Sequence, residues 1–182
     1  ILQTAKVSGG RMLALFTSYR QLLATSSVVS PLLAKEDILV YEQGTGASTS
    51  SLLDSFRETN RAVLLGTRSF WEGVDVPGEA LSVLVIVKLP FDVPNDPVIA
   101  SRAETFDNPF TQYMLPEAIL RFRQGFGRLI RTQSDRGVVA VLDRRVQSKE
   151  YGKYFLQSLP PCHIVESTIE DLPNETERWL DI

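Results

Sequence analysis

The sequence predicts an α/β fold, with helices on both faces of a mostly parallel sheet. Three observations carry this. Apolar runs alternate with amphipathic stretches along the chain. The apolar runs are near-continuous rather than alternating, as in strands buried on both faces. Polar or irregular segments follow the strands, beginning at Thr17, Thr67 and Pro90. Strand–helix alternation of this kind favours a parallel sheet with crossover helices. In open sheets of this class, ligands bind outside the carboxyl ends of the strands. The three segments are therefore expected to share one rim.

The elements follow in order. RMLALF at 11–16 reads as a short buried strand. Residues 19–33 read as a helix stopped near Pro31, because proline lacks the amide that a helix interior uses. DILVY at 37–41 is a second strand. GTGASTS at 44–50 is a flexible loop, and Ser50 or Ser51 is placed to cap a helix running to Arg57. AVLLG at 62–66 is a third strand, followed by a loop at 67–79. LSVLVIVKL at 81–89 is rich in β-branched residues and reads as a central strand. PFDVPNDP at 90–97 is a loop punctuated by prolines, and 97–106 is helical. A long helix spans 116–131. GVVAVLD at 137–143 is another buried strand. A helical stretch at 149–159, a short strand at 163–167 and an acidic, helical C-terminus complete the chain.

The chain has 182 residues, the size of a single domain, and 43% of them are hydrophobic, enough for a real core. No run approaches the roughly 18 apolar residues that a membrane span needs. The chain begins with Ile1 rather than Met and is expected to be one domain, 1–182, excised from a longer protein. The single cysteine, Cys162, excludes an internal disulfide and a cysteine-based metal site within the chain. It agrees with a reducing compartment, and a cytoplasmic location is expected.

The net charge of −3 argues against a surface that coats nucleic acid broadly. Its distribution says more. Between Arg121 and Arg145 lie seven arginines, no lysine, and two acids, a window of +5 that leaves −8 for the remainder. Arginine without lysine suits planar, bidentate recognition of phosphate or carboxylate. A solvated helix face laced with salt bridges explains the same composition.

QGFGRLIR at 124–131 is the odd part of the long helix. Gly125 and Gly127 each cost about 1 kcal/mol against alanine in a helix interior. Gln124, Gly127, Arg128 and Arg131 fall within about 100° of helical arc. Ile119, Phe122, Phe126, Leu129 and Ile130 fall opposite. Glycine on a polar face implies close approach of a ligand or another backbone, and two nearby arginines suit phosphate oxygens. The loop TRSFWEGVDVPGE is equally unusual. Gly73 and Gly78 permit uncommon backbone angles, and Trp71 implies a packed segment. Glu72 and Asp75 can accept hydrogen bonds from a sugar or an arginine, and Thr67 and Arg68 can reach a phosphate backbone. Alone, the loop is also explained as a simple connection with a turn at Pro77-Gly78.

Together these segments resemble the second RecA-like domain of superfamily-two helicases of the DinG/XPD group. QGFGRLIR matches the sixth motif, Gln-x-x-Gly-Arg-x-x-Arg. GTRSFWEGVDVPGE matches the fifth, with its Glu-Gly-x-Asp core. LALFTSYRQL at 13–22 matches the fourth-motif region, and VIVKLPFDVPNDP at 85–97 is similar to the segment joining the fifth and sixth. The order and spacing fit over residues 10–145. The Leu-Phe-Thr-Ser-Tyr and Lys-Leu-Pro-Phe versions favour the bacterial DinG branch.

The resemblance implies a role for each matched residue. Arg131 would be the arginine finger on the γ-phosphate, with Arg128 beside it. Gln124 and Gly127 would belong to the ATP side of the cleft, and Glu72, Gly73 and Asp75 would touch the ribose or couple the nucleotide to the DNA. Thr17, Ser18, Tyr19, Thr67 and Arg68 would hold the sugar-phosphate backbone of single-stranded DNA. Pro90 and Phe91 would lie beside that track, with Phe91 able to stack on a base. Tyr19 is equally compatible with a core position on its helix.

No G-x-x-x-x-G-K-[ST] phosphate loop and no Asp-Glu-Ala-His-type magnesium motif is present. In this group both belong to the first RecA-like domain. ATP and Mg2+ would therefore be bound mainly by that domain of the same parent chain, the expected partner alongside single-stranded DNA. No metal site is expected here, and an iron–sulfur cluster in the parent is left undetermined. His163 reads as structural. The expected function is the second motor domain of an ATP-dependent DNA helicase, unable to hydrolyse ATP alone. The alternative is a non-catalytic RecA-like module that binds nucleic acid or protein; a scaffold of that kind has no need of both arginines.

Overall fold

The structure is a computed structural model that describes residues 1–44, 46–71, 81–92, 96–129 and 136–182. Strands β1 (Met12–Leu15), β2 (Leu39–Glu42), β3 (Ala62–Gly66), β4 (Val83–Ile86) and β5 (Val138–Val141) form one sheet in the order β2-β3-β1-β4-β5. Every pairing is parallel. The helices are α1 (Leu2–Val7), α2 (Tyr19–Leu33), α3 (Thr49–Glu58), α4 (Arg68–Trp71), α5 (Pro97–Ala103), α6 (Leu115–Phe126), α7 (Arg145–Ser148), α8 (Gly152–Gln157) and α9 (Leu172–Leu180).

Successive strand residues point to opposite faces, and both faces are covered. Leu13, Leu15, Leu64, Leu84 and Ile86 enter a core with Phe56 of α3, Trp71 of α4, Phe122 of α6 and Phe155 of α8. Met12, Ala14, Val63, Leu65, Val83 and Val85 enter a second core with Ala5 of α1 and Leu22 and Val29 of α2, and α9 closes it through Leu172 and Leu180. Each fully buried side chain of this size contributes about 1.5–3 kcal/mol. Burial on both faces is why the strands read as continuous apolar runs.

The register aligns the strand ends. Leu15 lies beside Gly66 on one side and Ile86 on the other, and Ile86 lies beside Val141. The segments beginning at Thr17, Thr67, Val87 and Leu142 thus leave from one edge, as the strand order in the sequence predicts.

Several boundaries differ from the sequence expectation. Ser48, not Ser50 or Ser51, caps α3, its hydroxyl accepting the Ser51 amide at 3.1 Å. Ser50 instead shares a hydrogen bond with the Ser48 hydroxyl at 2.9 Å. Pro31 lies inside α2, which continues to Leu33. It occupies the exposed last turn, where its missing amide would have reached back only to exposed Ser27. The loop at 67–79 opens with the single turn α4. The helix predicted at 149–159 is shortened to α8, and neither α7 before it nor α1 was expected. Residues 163–167 form no strand. They cross from the α8 face to the α9 face with Ile164 and Val165 exposed and no strand partner among the described residues. β-Branched composition favours a strand only where a neighbour supplies a packed surface. His163 stacks on Trp179 there, with ring centroids 5.7 Å apart.

Candidate functional site

α6 explains one of its glycines and leaves the other to its surroundings. Leu115, Ala118, Phe122 and Phe126 are buried, spaced by three or four residues along one stripe. The helix ends at Phe126, with Gly127 as its C-cap. The chain then tightens: the Arg128 and Leu129 amides donate to the Gly125 and Phe126 carbonyls at 3.0 and 3.1 Å. The expected helix to Arg131 is therefore corrected. Arg128 sits on this tight turn, and Arg131 lies outside the described residues. Gly125 is buried against Trp71, where a β-carbon would meet the indole at 2.9 Å. Gly127 is exposed, has an ordinary helical φ of −64°, and a β-carbon there would meet nothing closer than 3.5 Å. Nothing within the described domain requires glycine at 127.

Trp71 ties the loop to this turn. Its indole N–H donates to the Phe16 carbonyl at 3.5 Å, at the end of β1. Its own carbonyl accepts from Arg128 Nη2 at 3.1 Å. Arg128 and Gln124 thereby face a groove of about 360 Å³, also lined by Arg68, Arg102, Glu117, Leu120 and Arg121. Four guanidinium groups and one carboxylate line it, a composition that attracts anions. Glu72, Gly73 and Asp75, expected on the same side, lie outside the described residues.

The strand-contact candidates occupy the rim. Thr17 is exposed beyond β1. Ser18 caps α2, accepting the Gln21 amide at 3.4 Å. Tyr19 is 44% exposed at the start of α2, so it is not a core residue. Its hydroxyl packs on the backbone of Gly44, whose φ of +102° excludes most side chains. Thr67 donates both its amide and its hydroxyl to Gln43 Oε1, at 2.8 and 2.7 Å. Arg68 bonds Asp92 at 3.2 Å. The structure thus groups Arg68 with Gln124 and Arg128 in the groove.

Pro90 and Phe91 are held inside the domain. Pro90 is buried, and its carbonyl accepts from Arg121 at 3.4 Å. Phe91 stacks on Phe110 at 5.9 Å, meets Tyr151 and Phe155 edge-on, and carries the Arg145 guanidinium 5.4 Å from its centroid. These contacts occupy the ring that a base would need.

Four residues that organise this region were not singled out in the sequence: Gln43, Asp92, Arg121 and Asp143. Arg121 is only 8% exposed; at 100° per residue it falls between Ala118 and Arg128, at the edge of the apolar stripe of α6, so its spacing gave no clear signal of burial. Asp143 accepts the Leu89 amide at 2.9 Å and Arg145 at 2.6 Å, which pins the loop after β4 to the end of β5. Burial alone would raise the Asp143 pKa, but the bonds from Arg145 and from the Leu89 and Arg145 amides outweigh it and hold the carboxyl below its ordinary value. Among the described residues no group of His, Cys, Asp or Glu is arranged to hold a metal, and no helix is long and apolar enough to cross a membrane.

Comparison with known proteins gives a consistent picture. A family model described as the helicase C-terminal domain matches residues 1–162. The 3'-5' exonuclease DinG of Bacillus subtilis is 41% identical over 92% of this chain and 19% of its own length. The ATP-dependent DNA helicase YoaA of Haemophilus influenzae is 39% identical over 88% of this chain and 25% of its own. The ATP-dependent helicase DinG of Mycobacterium tuberculosis is 40% identical over 88% and 24%. A solved XPD helicase structure superimposes with a TM-score of 0.61 and 25% identity, over 81% of this chain and 27% of that one. The chain spans about a fifth to a quarter of the length of these curated relatives.

Proposed function

The chain belongs to the helicase C-terminal domain family of the DinG and XPD helicases, and from that premise we propose that it is the second motor domain of an ATP-dependent DNA helicase. The observation that carries this reading is the groove in which Gln124 and Arg128 converge beside Gly127, a glycine that the described residues of its own domain do not require. A face kept bare and basic suits closure of a first motor domain carrying a nucleotide. On closure, Arg128 and Arg131 reach the phosphates of ATP and stabilise the charge that develops as the γ-phosphoryl group leaves. Gln124 orients them, and Glu72, Gly73 and Asp75 border the ribose. Mg2+, with most of the nucleotide, would be held by the first motor domain, as the family resemblance implies.

Thr17, Ser18, Tyr19, Thr67 and Arg68 form the single-strand track at the sheet edge. Contacts of this kind, directed at the sugar-phosphate backbone, give little sequence preference. Pro90 and Phe91 support the track from within the domain. Cycles of closure and release then move the strand, in the 5′-to-3′ direction that the family resemblance implies.

The test uses the full-length protein. Arg131→Ala should lower DNA-stimulated ATP hydrolysis by about 10³-fold or more while single-strand binding is retained. Unchanged hydrolysis removes the reading.

A second reading has one specific support: the Bacillus subtilis relative bears an exonuclease name. On that reading the domain holds nucleic acid for a nuclease and takes no part in ATP hydrolysis. A parent that shows no DNA-stimulated hydrolysis, and whose DNA affinity is indifferent to ATP, would favour it.

A further inference from the structure

We propose that Gln43 is a strand-contact residue, its side-chain amide donating to a phosphate of single-stranded DNA while Thr67 fixes the direction of that amide. The inference rests on the reading of the sheet rim as the single-strand track. Gln43 follows β2, and its backbone amide donates to the Leu65 carbonyl at 3.1 Å, so it extends the ladder at the carboxyl end of the strand. Thr67 follows β3 beside it. The Thr67 amide and hydroxyl both reach one atom of the Gln43 side chain, at 2.8 and 2.7 Å. A backbone N–H can only donate, so that atom is the carbonyl oxygen, Oε1. The amide is thereby oriented: Nε2, with two hydrogens to give, is the end that Thr67 does not hold. Gln43 is half-buried, and its Nε2 has no partner among the described residues.

The same two bonds divide the roles of the pair. The Thr67 hydroxyl has one hydrogen, and Gln43 takes it. What remains to Thr67 Oγ1 is its lone pairs, which a phosphate oxygen cannot use. Gln43 has the complementary state: its acceptor is occupied and its donors are free. A sugar-phosphate backbone offers acceptors, so the donor end is the one that suits it. The position agrees. The Phe16 amide donates to the Gly66 carbonyl at 2.8 Å, which sets Thr17 beside Thr67 on the adjoining strand end. Gly44, next to Gln43 in the chain, lies against the Tyr19 hydroxyl. Gln43 therefore stands in one row with Thr17, Thr67 and Tyr19, and Thr67 belongs to the track as the positioning residue of Gln43. An amide already held at one end loses little rotamer freedom when a strand arrives.

The experiment measures binding of a deoxythymidine oligonucleotide to the full-length protein over a range of salt concentrations. Gln43→Ala should weaken binding about fivefold. The factor should be the same at every salt concentration, because a neutral donor releases no counterion. Gln43→Glu keeps an acceptor for both Thr67 bonds and replaces the donor with a negative charge; it should weaken binding further, most of all at low salt. Thr67→Val keeps the shape and loses the hydroxyl. It should cost about twofold in the wild type and nothing more in a Gln43→Ala background, the non-additivity of two residues that act as one. A Thr67→Val loss that is equal in both backgrounds overturns the proposal, since Thr67 would then touch the strand itself. Wild-type affinity in Gln43→Ala overturns it as well. If Gln43→Ala does not fold, Gln43→Glu decides, and binding as tight as the wild type overturns it. Thr17→Ala, measured in parallel, separates the two levels. If it weakens binding while the Gln43 variants do not, the role of Gln43 alone falls; if it too binds as the wild type does, the placement of the track on this rim falls with it.

Discussion

The indole of Trp71 lies flat enough against Gly125 that a β-carbon at 125 would stand 2.9 Å from Cζ3 and 3.0 Å from Cε3. Both residues are buried, and Leu15 of β1 closes the same space at 3.5 Å. Trp71 has no room to retreat, since its N–H bonds the Phe16 carbonyl. Gly125→Ala should therefore destabilise the domain by about 1–3 kcal/mol through overpacking, despite the gain of about 1 kcal/mol in helix propensity. Thermal or urea unfolding measures it, and a variant as stable as the parent would show that the indole can shift.

Gly127→Ala should behave in the opposite way. The position is exposed, its φ is negative, and among the described residues an added methyl would meet only the Arg123 and Gln124 carbonyls, at 3.5 and 3.6 Å. Stability should stay within about 0.5 kcal/mol of the parent, the usual range for an unconstrained surface site. In the full-length protein, DNA-stimulated ATP hydrolysis should fall on the order of tenfold or more, because a small displacement at a closing catalytic face is costly. Full activity in Gly127→Ala would remove the argument that an approaching domain keeps this residue bare.

Phe91 offers a separation of stability from binding. Its ring contacts Phe110, Tyr151 and Phe155 and lies under Arg145. Phe91→Ala should cost about 2 kcal/mol, less than the loss of a fully buried phenylalanine because the ring is only half-buried. Single-strand affinity, corrected for the folded fraction, should be unchanged. A loss of affinity beyond that fraction would return Phe91 to the DNA track as a stacking residue.

These cases show what the sequence could and could not express. The parallel sheet was legible because burial on both faces writes itself as runs such as MLAL and AVLLG. The amphipathic stripe of α6 was legible through Phe122 and Phe126. The two glycines looked alike in sequence, and only packing separates them: Trp71, more than fifty positions away, fixes one and leaves the other open. Asp92 and Arg121 were hidden for the same reason. A buried ion pair between distant segments has no local spacing, and Arg121 was legible only as one charge among seven in its window. The strand expected at 163–167 failed because apolar β-branched residues announce a preference for a packed surface without saying whether a neighbouring strand supplies it.

Asp143 should give the domain a pH dependence of known sign. Its carboxyl is held below the ordinary value by Arg145 and by the Leu89 and Arg145 amides, which together outweigh its burial. A group whose folded pKa is depressed contributes its full stability above the unfolded value of about 3.9. That contribution is lost as pH falls through the lower folded value. Asp143→Asn removes the charge and keeps the shape, and should cost about 1–3 kcal/mol at neutral pH, the scale of a hydrogen bond to a charged group. In urea unfolding from neutral pH downward, the gap between parent and variant should stay constant to about pH 5 and close below that. A gap that widens with acid, or one that is the same at every pH, would mean that the Asp143 carboxylate, which accepts the Leu89 amide, does not hold the loop between β4 and α5.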